Sequence, residues 1–456
     1  MSSNLSVIIL AAGQGTRMRS ALPKVLHAIG GKPMLQHVID AARGLLADDI
    51  YVVYGHGGER VRSALASQPV RWVEQAEQLG TGHAVNQAMP AIPDHHTVMV
   101  LYGDVPLITS DTLHRLAEVA QQGLGLLTTR LPDPRGYGRI VRDDSGRVLS
   151  IVEEKDASEQ QRGIREVNTG MLATGAANLR RWLDGLDNNN AQGEYYLTDV
   201  IAKAVQEGVP VETTNPATIA EVMGVNNRVQ LAALERDYQR RRCEELMLSG
   251  VTLLDPERFD LRGGLQVGRD VIIDVNVVIE GEVTLGEGVY VGPYCYLRDV
   301  SIGSGTRINS HCVLEQADIG AECRIGPFAR IRPETRLADG VHIGNFVEIK
   351  KSQVASGSKI NHLSYVGDSV VGREVNIGAG VITCNYDGAN KHRTVIGDNA
   401  FIGSDSQLVA PVEVGAGATI GAGSTITRDT PAGELTLARA EQKTVRGWSR
   451  PVKKGD

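Results

Sequence analysis

The chain has 456 residues, enough for about two to three domains, and its formal net charge of −7 argues against general nucleic-acid binding. Aromatic residues are only 4 % while glycines number 52, a bias that fits a thin core of Val, Ile, Leu and Ala. The cysteines, Cys243, Cys295, Cys312, Cys323 and Cys384, form no Cys-x-x-Cys pair and read as reduced thiols rather than a metal or disulfide framework. The apolar run from Val7 to Ala12 is too short and lacks the basic flank of a signal peptide. No span of about twenty apolar residues occurs. A soluble, cytoplasmic protein is expected.

From residue 5 to about residue 225, apolar runs alternate with helical patterns. The spacing predicts buried strands over Val7–Leu10, Ile50–Tyr54, Val98–Tyr102 and Leu124–Thr129. It predicts helices over Met34–Leu46, Gly82–Met89 and Asp111–Gln121. Alternation of this kind argues for a mostly parallel sheet covered on both faces, with ligands beyond the C-terminal strand ends. The first strand runs into Ala11-Ala12-Gly13-Gln14-Gly15-Thr16-Arg17-Met18, with Lys24 shortly after. Glycines at a strand end let backbone N–H groups approach phosphates, and Arg or Lys offsets their charge. The third strand ends in Gly103-Asp104. Asp104 reads either as a helix N-cap or as a Mg²⁺ ligand, and the neighbouring glycine loop favours the ligand.

Leu231, Leu234, Tyr238 and Leu246 recur at helical spacing and Gly250 follows, which predicts a long connecting helix over 227–249. Its Arg240-Arg241-Arg242 triplet reads as a solvated face. From about 263 to 430 a six-residue beat takes over. Branched residues fall at Val267, Ile273, Ile279, Leu285, Val291 and Leu297, and the beat returns at Ile319–Ile349 and Ile396–Ile426, often with Gly next in sequence. Neither a helix nor an alternating strand has that period; a parallel β-helix of three hexads per coil does. Between Ile349 and Ile396 the beat turns irregular, and there lie Lys350, His362, Tyr365, Asn376 and an apparent inserted loop, Cys384 to Lys391. His362 is a structural residue or a general base, and its polar company favours the base. The tail from 440 is short and basic, with Arg446, Arg450, Lys453 and Lys454.

The string from Leu10 through Lys24, with Gln75, Gly80-Thr81-Gly82 and Tyr102-Gly103-Asp104, resembles the sugar-1-phosphate nucleotidylyltransferases. The resemblance implies that UTP is held by Leu10, Ala11, Ala12, Gly13, Gln75 and Gly80, with Arg17 and Lys24 on phosphate. It implies Mg²⁺ on Asp104 and Asn226. It further implies that Gly138, Glu153 and Asn168, with Thr81 and Tyr102, would hold the sugar; without the resemblance Glu153 and Asn168 read as a solvated charge and a turn residue. The hexads, His362 and the loop resemble the hexapeptide acyltransferases, which take acetyl-CoA and no metal for the chemistry.

In this order the two halves resemble the bacterial bifunctional N-acetylglucosamine-1-phosphate uridylyltransferase/glucosamine-1-phosphate N-acetyltransferase family, from Leu5 to Lys454 and including the stretch 188–196. That implies an α/β Rossmann-like nucleotidyltransferase domain (1–226), a linker helix (227–250) and a left-handed parallel β-helix with its tail (251–456). It implies that Arg332, Lys350, Tyr365 and Asn376 grip glucosamine-1-phosphate, with His362 as base. Asn385, Tyr386, Ser404, Ala422 and Arg439 would take acetyl-CoA. It implies a homotrimer with acetyltransfer sites between chains, supplying peptidoglycan and lipopolysaccharide precursors. Two other readings weigh less. A regulatory scaffold would tolerate loss of Gly13, Gly15, Arg17, Lys24 or Asp104, and all are present. A single-activity pyrophosphorylase has no use for His362 and the 384–391 loop.

Overall fold

Strand β1 (Leu5–Ala11) is buried along its whole length, as only a central strand with helices on both faces can be. Its polar side chain, Ser6, is bonded to His96 at 2.9 Å. This computed structural model describes residues 4–453 apart from Gln14, His56 and Ala191. Three expectations therefore lie outside the described residues: Gln14 of the glycine loop, Ala191 of the 188–196 stretch and Lys454 of the tail. The chain divides into two compact units, Met1–Gln239 and Arg240–Asp456.

In the first unit, β1 is joined by β2 (Asp49–Tyr54), β3 (Arg71–Glu74), β4 (Thr97–Tyr102), β5 (Leu124–Arg130), β6 (Arg139–Arg142), β7 (Val148–Val152), β8 (Glu166–Gly175) and β9 (Val211–Thr214). The sheet order is β9-β5-β8-β4-β1-β2-β3, with the β6–β7 hairpin beside β8. β1, β2, β3 and β4 run parallel, and β8 runs antiparallel between β4 and β5. The N-terminal half of β8, which carries Asn168, therefore arrives at the edge where β4 ends. One core packs on each sheet face, around Leu35, Val38 and Ile39 on one side and around Val85, Leu179 and Trp182 on the other. The four strands read from sequence are present and extend by one residue or more at an end. The helices α1 (Met34–Arg43), α2 (Glu59–Ala64), α3 (Thr81–Ala88) and α4 (Ser110–Ala120) follow, and α1 stops short of Leu46, where the chain turns left-handed with φ of 54°. A cap role for Asp104 is excluded, because the α4 cap is Thr109, whose side chain accepts from Thr112 N–H. A further helix, Arg228–Leu248, matches the connecting helix, and Arg241 and Arg242 pair with its own Glu245.

The second unit is a parallel β-helix. Strands stack coil on coil: Ile272 pairs with Tyr290, Tyr290 with Arg307 and Arg307 with Arg324. Ile308, Ile325, Ile343, Ile360, Ile377, Ile402 and Ile420 stack as one inner row, each at most 2 % exposed. Pairing starts at Thr252 and reaches Thr436, a coil earlier than the beat alone predicts. Inner Ile325 and its exposed neighbour Arg324 make a direct test of this pattern. Ile325→Val is expected to lower unfolding free energy by about 0.5–1.5 kcal/mol and Arg324→Ala by less than about 0.5 kcal/mol, read from denaturant midpoints.

The predicted break between Ile349 and Ile396 is mostly not one. Val354, Ile360, Val366, Val371 and Ile377 continue the buried rows, and Lys359 pairs with Asn376 like any other coil. The beat is lost to the eye because some corners are one residue shorter; Lys351 and Asp368 turn them with φ of 47° and 50°. The true insertion is confined to 385–393: Lys359 to Asn376 is a step of 17 positions, but Asn376 to Phe401 is 25. At one corner Tyr294, His311, Phe328 and Phe346 stack as an exposed ladder, with ring centroids 4.9, 4.7 and 5.2 Å apart.

Candidate active sites

In the first unit, the segments after β1, β3 and β4 leave the sheet at one edge and enclose a cavity of about 270 Å³. Leu10, Ala11, Ala12, Gly13, Lys24, Gln75, Gly80, Thr81, Tyr102 and Asp104 all line it, as the sequence predicts. Gly15 takes φ of +62°, and a Cβ there would stand 2.6 Å from Lys24 Cβ, so the loop needs glycine to let Lys24 close over it. Gln78, not singled out from sequence, ties down the loop by donating to Ala12 O at 2.6 Å.

Lys24 Nζ donates to Asp104 Oδ2, and it also reaches Asn226 Oδ1 at 3.3 Å. Arg17 donates to the same Asn226 oxygen at 2.9 Å. A carboxylate and an amide oxygen thus converge on one point, now taken by an ammonium. Two hard oxygen donors suit Mg²⁺, which keeps its other positions for phosphate and water. Among the described residues there is no group of three or more His, Cys, Asp or Glu that could hold a metal ion.

Gly138, Glu153 and Asn168 form a second group. Asn168 N–H donates to Gly138 O at 2.9 Å, and Thr198 donates to Glu153 Oε1 at 3.2 Å. Burial raises the Glu153 carboxyl above its ordinary value. Burial, with Glu153 and Asp104 nearby, pushes the Tyr102 phenol far up, so it remains a protonated donor between the two groups. Glu154, next in sequence, is otherwise engaged: it pairs with buried Arg139 at 2.6 Å.

In the second unit, Lys350 Nζ lies 3.5 Å from Asp368, and Asn385 Nδ2 reaches Asp368 Oδ2 and, at 3.3 Å, the Tyr365 hydroxyl. Arg332 pairs with Glu348 at 2.8 Å, and the Tyr365 hydroxyl acts electrostatically on both Arg332 and Lys350. Contact with Lys350 lowers the Lys391 ammonium. The predicted Arg332, Lys350, Tyr365 and Asn385 therefore share one cationic neighbourhood with Lys391, Asp368 and Glu348, which the sequence reading missed. Tyr386 is not drawn in; it is exposed and its hydroxyl donates to Gly388 O within the loop.

His362 stands exposed at the end of its strand, across the Leu363–Ser364 corner from Tyr365. Its Nδ1 is 3.0 Å from Asn345 Oδ1, and Asn345 is its partner one coil earlier. An Nδ1–H donated to Asn345 leaves the Nε2 lone pair free. Asn345 was missed because only the 17-residue coil spacing links it to His362. Above His362 the corner continues through backbone bonds: Gly380 N–H to His362 O, Asp405 N–H to Ala379 O and Gly423 N–H to Ser404 O. Arg439 then donates to Ala422 O at 2.7 Å. His362, Ser404, Ala422 and Arg439 are exposed along one line. At about 4.8 Å per coil the line from His362 to Arg439 spans about 19 Å. Asn376 lies on the same run of coils, beside His362's strand.

Three family descriptions match: a MobA-like NTP transferase domain over residues 7–165, a GMPPB C-terminal domain over 261–343 and bacterial transferase hexapeptide repeats over 393–428. The Bifunctional protein GlmU of Alkalilimnicola ehrlichii is 60 % identical over 456 residues, covering 100 % of this chain and 98 % of that one. The Bifunctional protein GlmU of Nitrosospira multiformis is 59 % identical over 454 residues, covering 99 % of each. The chain belongs to the GlmU family. A solved UDP-glucose pyrophosphorylase in complex with UDP-glucose is 16 % identical with a TM-score of 0.45, covering 53 % of this chain and 100 % of that one. Membership of the GlmU family makes this a bifunctional enzyme of UDP-N-acetylglucosamine synthesis, with a uridylyltransferase half and an acetyltransferase half.

Proposed function

We propose that the cavity of the first unit is the uridylyltransfer site and that the His362 line of the second is the acetyltransfer site. The domain boundaries at 226 and 250, the left hand of the β-helix, the cytoplasmic location and a homotrimer belong to the same reading. The exposed aromatic ladder supports association, because stacked apolar surface of that kind favours burial against another chain.

In acetyltransfer, Arg332, Lys350, Tyr365 and Asn376 hold the amino-sugar phosphate. His362 Nε2 takes a proton from the amine, whose nitrogen attacks the thioester carbonyl; the C–S bond breaks and the CoA thiolate leaves. Ser404 stands near the acetyl oxygen, Ala422 beside the pantetheine and Arg439 near the CoA phosphates, with Asn385 completing the site and Tyr386 joining it only by turning from its exposed place on the loop. In uridylyltransfer, the phosphate oxygen of N-acetylglucosamine-1-phosphate attacks the α-phosphorus of UTP and pyrophosphate leaves. The nucleophile is already an anion, so alignment and charge neutralisation by Arg17 and Lys24 carry the step. Leu10 to Gly13, Gln75 and Gly80 hold UTP; Gly138, Glu153, Asn168, Thr81 and Tyr102 hold the sugar. Asp104 and Asn226 would hold Mg²⁺, which supplies charge neutralisation on the phosphates when bound.

The observation that carries this reading is the His362–Ser404–Ala422–Arg439 line, a base and a cation separated by about the length of a long thin ligand. The test supplies glucosamine-1-phosphate, acetyl-CoA, UTP and Mg²⁺, and follows thiol and pyrophosphate separately. Thiol release is expected from the first two alone, and pyrophosphate release only after acetylated sugar forms. Pyrophosphate released at full rate without acetyl-CoA would sink the assigned order.

A further inference from the structure

The insertion 385–393 is folded by its own groups, and Asp387 is their hub. Asp387 Oδ1 accepts from the N–H groups of Ala389 at 2.8 Å and Asn390 at 2.6 Å, and Asp387 N–H donates to Asn390 O at 3.1 Å. Asp387 Oδ2 lies 2.6 Å from His392 Nε2. Those bonds hold the Asp387 carboxyl well below the usual carboxylate range. A carboxylate can only accept, so His392 Nε2 carries a proton. The His392 N–H donates to Asn385 O at 2.8 Å, and Tyr386 faces Lys391 across an antiparallel bridge. One carboxylate thus ties the tip of a hairpin to its returning leg. The tip, Gly388-Ala389-Asn390, has little stiffness of its own.

Both legs of the hairpin end on the acetyltransfer cluster. On the entering leg, Asn385 Nδ2 donates to Asp368. On the returning leg, Lys391 walls a cavity of about 390 Å³ with Asp368, Lys351 and Arg393. Lys350 Nζ lies 3.5 Å from the same Asp368, and contact with Lys350 holds the Lys391 ammonium below its ordinary value. Two ammonium groups therefore share one carboxylate, on which Asn385 also draws. Like charges at that range repel, and a Lys stem free to turn would carry its charge into water. A phosphate dianion between the two removes the repulsion. We propose that Asp387 is a positioning residue for acetyltransfer: by closing the hairpin it keeps Lys391 beside Lys350, and the two ammonium groups grip the phosphate of the amino sugar. That role rests on the reading that Lys350 holds this phosphate. Asp387 acts on the phosphate only through Lys391.

The test follows thiol release by the full-length enzyme at saturating acetyl-CoA, with inorganic phosphate as a competitor of glucosamine-1-phosphate. Asp387→Ala is expected to raise the KM for glucosamine-1-phosphate and the inhibition constant of phosphate together, each about tenfold, the worth of one charge-assisted contact. Uridylyltransfer should stay at the wild-type rate. Asp387→Asn keeps an acceptor for the Ala389 and Asn390 N–H groups and is expected to restore most of both constants. Lys391→Met is expected to match Asp387→Ala, and the double variant to be no worse than Lys391→Met alone. A double variant whose losses multiply would overturn the positioning role, because Asp387 would then act apart from Lys391. Unchanged constants in Lys391→Met with raised constants in Lys350→Met would overturn the paired grip and leave the sugar-phosphate reading intact. Unchanged constants in Lys350→Met as well would overturn that reading, and the pair with it.

Discussion

Replacing His362 by Ala is expected to slow acetyltransfer by about 10²–10⁴-fold, the usual worth of a positioned general base, and to leave uridylyltransfer at the wild-type rate. An amine nitrogen must shed a proton as it bonds to the thioester carbon, so the step needs a base beside it. His362 is placed for that: exposed at a corner, held through Nδ1 by Asn345 at 3.0 Å, with Nε2 uncommitted. The loss should fall on kcat, since the sugar-phosphate contacts assigned to Arg332, Lys350 and Tyr365 lie round the corner and stay in place. Folding should survive, because an exposed side chain leaves no cavity in the Ile343–Ile360–Ile377 row. Thiol release at near wild-type rate would remove His362 from the mechanism, and an equal loss of both activities in a folded protein would remove the separation of the two sites.

How far these sites could be read from sequence depended on whether their residues were local. The glycine loop, Lys24 and Gly103-Asp104 announce themselves because a strand end, a turn and a charge fall within a few positions. The inner Ile row is legible for the same reason: a six-residue period repeats until it is unmistakable. Strands β3, β6, β7 and β9 were not located, since each is four or five residues long with at most two buried positions, and the ten-residue β8 was not located either. Asn345, Glu348, Asp368 and Lys391 escaped for a different reason. Each meets its partner across one or more coils, as Asn345 meets His362 and Asp368 meets Asn385, and outward positions obey no hydrophobic beat. The irregular beat was over-read as a break, because a left-handed corner at Lys351 or Asp368 saves one residue without disturbing the core.

Asp104→Ala is expected to do the reverse of His362→Ala: uridylyltransfer falls by about 10²-fold or more, the scale seen when one preorganised charge-stabilising group is removed, and acetyltransfer is unchanged. Among the described residues Asp104 is the one carboxylate paired with the Lys24, Arg17 and Asn226 cluster, and no group of three or more His, Cys, Asp or Glu stands there to replace it. Its loss leaves two cations and one amide oxygen, a set that attracts phosphate and repels Mg²⁺. Two readouts should therefore part company. Affinity for UTP without metal should hold or tighten, while the Mg²⁺ concentration for half-maximal rate should rise, each measured by titration. The side chains of Lys24 and Asp104 are 12 % and 19 % exposed, so the freed ammonium can reach water and the fold need not fail. If Asp104→Ala keeps both its rate and its Mg²⁺ requirement, Asp104 merely braces Lys24, and the metal must be held by substrate oxygens and Asn226 alone.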